Sequence, residues 1–167
     1  MYRFTNSLLA LLLATNLLPA YALDTDKQQP IKVQANSATI SKTSGTSTYK
    51  GNVVVEQGSM RIMTELLTVS TSEGKLKSMV AEGKPVKFQQ RTTDDKKNIS
   101  AIANKMTYHA DTNIVVFENK ASLTQGSNKF ASNRITYNIA RETVDAGKSS
   151  GGGRVTITID PAANPGN

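Results

Sequence analysis

From Ile31 onward the chain alternates apolar and polar residues with a period of two. Ile31-Lys32-Val33-Gln34-Ala35 sets the pattern, and alternation of this kind predicts a strand with one buried face. It recurs over 46–49, 53–57, 61–71, 75–81, 86–91, 99–109, 114–117, 121–125, 129–138, 143–146 and 154–160. Thr, Val, Ile and Ser dominate these stretches, and β-branched residues suit a pleated surface. Turn residues separate them at short intervals: Ser44-Gly45, Gly51-Asn52, Gln57-Gly58-Ser59, Glu73-Gly74, Gly83-Lys84-Pro85, Asp111-Thr112-Asn113, Asn119 and Gly126. Helical spacing is nearly absent. Many short strands joined by tight turns predict an all-β antiparallel meander, sandwich or barrel.

An internal repeat runs through this pattern. Residues 33–69 align without a gap on 101–137, an offset of 68, and seven positions are identical: Ala35/Ala103, Asn36/Asn104, Thr39/Thr107, Gln57/Gln125, Gly58/Gly126, Ser59/Ser127 and Thr68/Thr136. Two similar β units stacked along one axis are the economical reading. The stretch 147–153 (GKSSGGG) reads as a flexible loop. Residues 161–167, with Pro161 and Pro165, read as a disordered tail.

The alternation places one set of side chains on a common face: Ile31, Val33, Ala35, Ile40, Val53, Val55, Ile62, Leu67, Val69, Val86, Phe88, Tyr108, Phe117, Leu123, Phe130, Ile135, Tyr137, Val155, Ile157 and Ile159. Such a face must be covered, and without helices it must meet another sheet face. Two forms satisfy this: a sealed dry core, or a sandwich left open along one side whose trough takes an apolar ligand.

The first 22 residues break the pattern. Arg3 is their one charged residue; the apolar run from Leu8 through Leu18 follows, then Pro19 and the small residues of Ala20-Tyr21-Ala22. This is the layout of a secretory signal peptide, with cleavage predicted after Ala22 and residues 23–160 as the folded domain. The run is short for a bilayer span, which needs about 20 apolar residues. The chain has no Cys, which excludes disulfides, thiolate metal sites and a cysteine nucleophile. Export without cysteine points to a bacterial periplasm.

Composition narrows the chemistry further. Lys and Arg number 20 against 13 Asp and Glu, for a formal charge of +7 in 167 residues, which favours acidic partners. The cations are spread along the chain, as on a solvated face. The lone His109 cannot build a multi-histidine metal site, and it stands at a strand end before Ala110-Asp111. Asp94-Asp95 is followed at once by Lys96-Lys97, the pattern of a solvated loop. Gly151-Gly152-Gly153 lacks the strand-to-helix setting of a phosphate loop. No catalytic constellation rises above background, and no metal or cofactor is expected. An oligonucleotide-binding barrel is a poor fit, because aromatics do not interleave with the cations.

One family shares this order of residues. Tyr49-x-Gly51-x-Val53-x-Val55-x-Gln57-Gly58 is followed by Ile62, Leu66 and Val69; then come Ala81-x-Gly83-x-Pro85-Val86-x-Phe88, Ala101-x-Ala103-x-x-Met106-x-Tyr108, Leu123-x-Gln125 and Ile135-x-Tyr137. The sequence resembles the OstA-like family from about Gln29 to Pro161. It departs from it at Asn119, where that family tends to have Gly, and at Phe130-Ala131-Ser132. The resemblance implies a folded-over antiparallel β-jellyroll, an open sandwich with an apolar trough. It implies binding of lipopolysaccharide through its lipid A acyl chains, and no enzyme activity. The lipid-binding interior it implies comprises Ile31, Val33, Val53, Val55, Ile62, Val69, Phe88, Tyr108, Phe117, Leu123, Ile135 and Tyr137. It implies end-to-end strand pairing with further copies and with like-folded inner-membrane and outer-membrane transport components, with the edges at 31–40 and 154–160 as joints. The alternative is a periplasmic module that binds an anionic glycan and has a closed core.

Overall fold

The computed structural model describes residues 25–92, 98–147 and 154–159. The signal segment, Asp94 through Lys97, most of the 147–153 loop and the 161–167 tail lie outside the described residues.

A four-residue helix, α1 (Thr25–Gln28), precedes the strands β1 (Lys32–Gln34), β2 (Ser37–Ser41), β3 (Thr46–Gln57), β4 (Met60–Ser72) and β5 (Lys75–Gln90). There follow β6 (Ile99–His109), β7 (Ile114–Gln125), β8 (Asn128–Asn138), β9 (Thr143–Ala146) and β10 (Thr156–Thr158). All pair antiparallel in one sheet, in the order β1-β3-β4-β5-β6-β7-β8-β10, with β2 also on β3 and β9 also on β8. The chain meanders, so each strand lies beside its sequence neighbour. The two outer edges pair with nothing among the described residues, and the sheet stays open.

Several stretches that read as separate strands are continuous. Residues 46–49 and 53–57 are one strand, as are 75–81 with 86–91 and 114–117 with 121–125. The intervening residues, rich in Gly, Asn and Pro, read as turns, but they act as mid-strand bulges. Gly51 and Asn52 have φ of 78° and 48°, and Asn119 and Lys120 have 63° and 59°. The ladder slips there and resumes, between Lys50 and Val53 in β3 and between Glu118 and Ala121 in β7. Further slips fall between Met63 and Leu66, Glu82 and Val86, and Ile102 and Lys105. A bulge bends its strand and raises the local twist. Five bends side by side crease the sheet into two wings.

The repeat is structural. β3 and β7 span equivalent residues at the offset of 68, and so do the starts of β4 and β8 and of β5 and β9. Positive φ recurs at Gly45/Asn113, Gly51/Asn119, Asn52/Lys120, Gly58/Gly126 and Gly74/Glu142. Asn119 therefore keeps the left-handed conformation of Gly51. Asn is the non-glycine residue that tolerates it best.

Candidate functional site

Alternation sends every second side chain of β3 to β8 inward. On the first wing one cross-strand row runs Val55, Ile62, Phe88, Ala101, Leu123 and Phe130; on the second, another runs Tyr49, Leu67, Ala81, Met106, Phe117, Ile135 and Ala146. The wings face each other. The rings of Phe88 on the first and Phe117 on the second stand 5.4 Å apart at 66°. At the seam opposite the crease, Gln125 Nε2 donates to the carbonyl of Glu142, 3.4 Å away.

Of the twelve interior residues expected from sequence, nine are buried together: Val53, Val55, Ile62, Phe88, Tyr108, Phe117, Leu123, Ile135 and Tyr137. Val33 and Val69 are partly buried against the same cluster. Ile31 stands outside it at 38% exposure, because it precedes β1 and has no strand beside it. Ile40 is 65% exposed and Ile157 52% exposed. Both continue inward-facing rows: Ile40 pairs Ser47, whose partner is the inward Val69, and Ile157 pairs the inward Phe130. They lie bare because the interior opens at both edges of the sheet. Val155 and Ile159, also placed on the apolar face, are exposed beside β10.

The middle of the interior is filled by its own side chains. Val55, Ile62, Leu67, Met79, Met106, Leu123 and Ile135 expose nothing to solvent. Met79 and Met106 were not among the expected site residues, although Met79-Val80-Ala81 carries the alternation. Thr64 is also buried; its hydroxyl donates to the Glu82 carbonyl at 2.7 Å, which satisfies it beside the crease. Of the inward tyrosines, two are deeply buried. Burial raises the Tyr108 pKa, and burial with the nearby Glu142 carboxylate pushes Tyr137 up to about 12.

At the rim, α1 ties the N-terminal segment to the β3–β4 turn. Ser59 Oγ donates to the Asp26 carboxylate, and Gln57 Nε2 donates to the Gln29 carbonyl at 3.2 Å. The outer wall mixes polar and apolar side chains, with Ile102 exposed on it. A cleft of about 230 Å³ there is lined by Lys87, Ser100, Thr124 and Lys129. His109 ends β6 on the outside, and no cluster among the described residues has the makings of a metal site. Among these residues no helix is long and apolar enough to cross a membrane.

These features define a class: a single creased β-sheet that encloses an apolar space and, among the described residues, leaves both edges unpaired. Residues 32–143 match the family described as LptA/(LptD N-terminal domain) LPS transport protein. The chain belongs to this family. It is 33% identical over 153 residues to the lipopolysaccharide export system protein LptH of Pseudomonas aeruginosa, covering 89% of this chain and 87% of the relative. With the lipopolysaccharide export system protein LptA of Escherichia coli (strain K12) it shares 32% identity over 165 residues, covering 95% and 88%. The crystal structure of LptH, described as the LptA homologous periplasmic component of the lipopolysaccharide transport device of P. aeruginosa, superposes with a TM-score of 0.78. That match has 31% identity and covers 82% of this chain and 99% of the other.

Proposed function

We propose that this chain is a periplasmic, non-enzymatic carrier that holds lipopolysaccharide by its acyl chains between the two wings. Residues 1–22 act as its export signal. Its bare edges pair with further copies and with like-folded inner-membrane and outer-membrane transport components, so that the interiors join into a bridge. The reading rests on one observation above all: an interior lined from β1 to β10 by apolar side chains, uncovered at both ends, in a chain of this family.

The energetics fit. Exposing an acyl chain of about 12 carbons costs about 0.8 kcal/mol per CH₂, roughly 10 kcal/mol in all. A continuous apolar surface removes that penalty without chemistry. Because the middle is packed, an arriving chain must part the wings and exchange side-chain contacts for acyl contacts. The exchange is apolar for apolar, and Met79 and Met106 are the flexible fillers best able to repack around it. The bare edges, with Ile40 and Ile157 beside them, suit strand addition.

The test is binding of intact against deacylated lipopolysaccharide to the full chain, by calorimetry. The carrier reading predicts saturable binding of the intact form only. Equal binding of the deacylated form would establish the anionic-glycan reading instead.

A further inference from the structure

The inward face changes chemistry at one rim. Two residues along from Val55, Phe88 and Leu123, the inward positions hold Gln57, Gln90 and Gln125. Gln90, Ile99, Gln125 and Asn128 form one cross-strand row, and Gln57 pairs with Met60 in the equivalent hairpin. Gln90 is only 4% exposed, and its Oε1 has no hydrogen-bond partner; the buried Oδ1 of Asn128 has none either. A buried carboxamide oxygen without a donor destabilises a fold, and native structures hold few of them. An apolar side chain at position 90 would serve the β5–β6 ladder better. The amide is costly to the fold and well placed for a ligand.

We infer that the carboxamides of Gln90, Gln125 and Asn128 form a ledge that binds the amide or hydroxyl groups at the base of an acyl chain. This rests on the lipid-carrier reading above. Strands rise about 3.3 Å per residue, so a chain packed beside Phe88 and Leu123 places its polar linkage about 6–7 Å further on, at the ledge. Carboxamides are neutral and offer both donors and acceptors. They match an amide N–H and carbonyl or a hydroxyl, whereas a phosphate calls for cations. Gln125 already spans the seam to the Glu142 carbonyl, so a ligand at the ledge also engages the rim where the wings must part.

The experiment compares two probes with the same chain length, N-dodecanoylglucosamine and n-dodecyl glucoside, on the full wild-type chain and on Gln90→Met and Gln90→Leu. The wild type is expected to bind the amide probe at least about 5-fold tighter. Both variants should bind the two probes equally and melt about 2–4 °C higher, since the orphaned acceptor is gone. An amide preference that survives in either folded variant, or is missing from the wild type, overturns the ledge. Binding of n-dodecyl glucoside to the wild type reports the apolar interior by itself: kept without an amide preference, only the ledge falls; absent along with amide-probe binding, the carrier reading falls too.

Discussion

Phe88 and Phe117 meet edge to face, 5.4 Å between centroids, although β5 and β7 share no hydrogen bond and β6 runs between them. The pair joins the two wings across the interior. Each ring is 1% exposed. Phe117→Ala is expected to cost about 3–5 kcal/mol through lost burial and the cavity left behind. A double-mutant cycle with Phe88→Ala should give a coupling of about 0.5–1.5 kcal/mol, as for other aromatic pairs. Urea denaturation of the four proteins measures both; additive losses would mean that the wings do not meet at these rings.

Positive φ builds the bulges of β3 and β7 at the crease. A Cβ at Gly51, whose φ is 78°, would press on the side chain of Asn36. Gly51→Ala should therefore cost about 1–2 kcal/mol. At the equivalent Asn119, Asn119→Gly should be nearly neutral, while Asn119→Val should cost more than 1 kcal/mol, because a β-branched residue resists this region. Thermal melts of the three variants test the ranking.

These positions also mark where the sequence was readable and where it was not. Alternation identified the inward face of β3 to β8: of the thirteen residues it placed there, eleven are buried and Val69 and Phe130 are partly buried. The offset of 68 identified the repeat but not the bulges within it. Gly51-Asn52, Gly83-Lys84-Pro85 and Asn119 looked like chain reversals, because Gly, Asn and Pro serve a turn and a bulge equally. Only the ladder on both sides tells them apart. Ile31, Ile40 and Ile157 share the apolar character of the face, yet their exposure is set by what flanks the edge strands, which local pattern does not encode. The glutamine row escaped notice because an inward polar residue breaks the alternation by which inwardness is read.

Position 58 ties α1 to the rim. Gly58 has φ of 55°, and a Cβ there would collide with Asp26, which accepts from Ser59. Gly58→Ala should displace the α1 segment and cost about 1–2 kcal/mol, whereas Gly74→Ala, with φ of 73° and open space around a Cβ, strains only its own backbone and should cost less. Limited proteolysis near residue 28, compared between the two variants, separates displacement of α1 from general destabilisation.

Alkaline pH should weaken the fold through Tyr137. Its folded pKa stands near 12 against 10 for an ordinary tyrosine, so the native state keeps the proton that the unfolded state loses. Stability is then fully present below about pH 10 and falls between pH 10 and 12, by up to about 2 kcal/mol. Tyr137→Phe should flatten that part of the profile. An unchanged slope in the variant would show that other groups set it.

Site-specific photocrosslinking in cells tests the central claim most directly. With a benzophenone amino acid at the inward Phe117 and at the outward Thr107, one strand away, the carrier account predicts capture of lipopolysaccharide from position 117 and none from 107. Capture from 107 with none from 117 would contradict it.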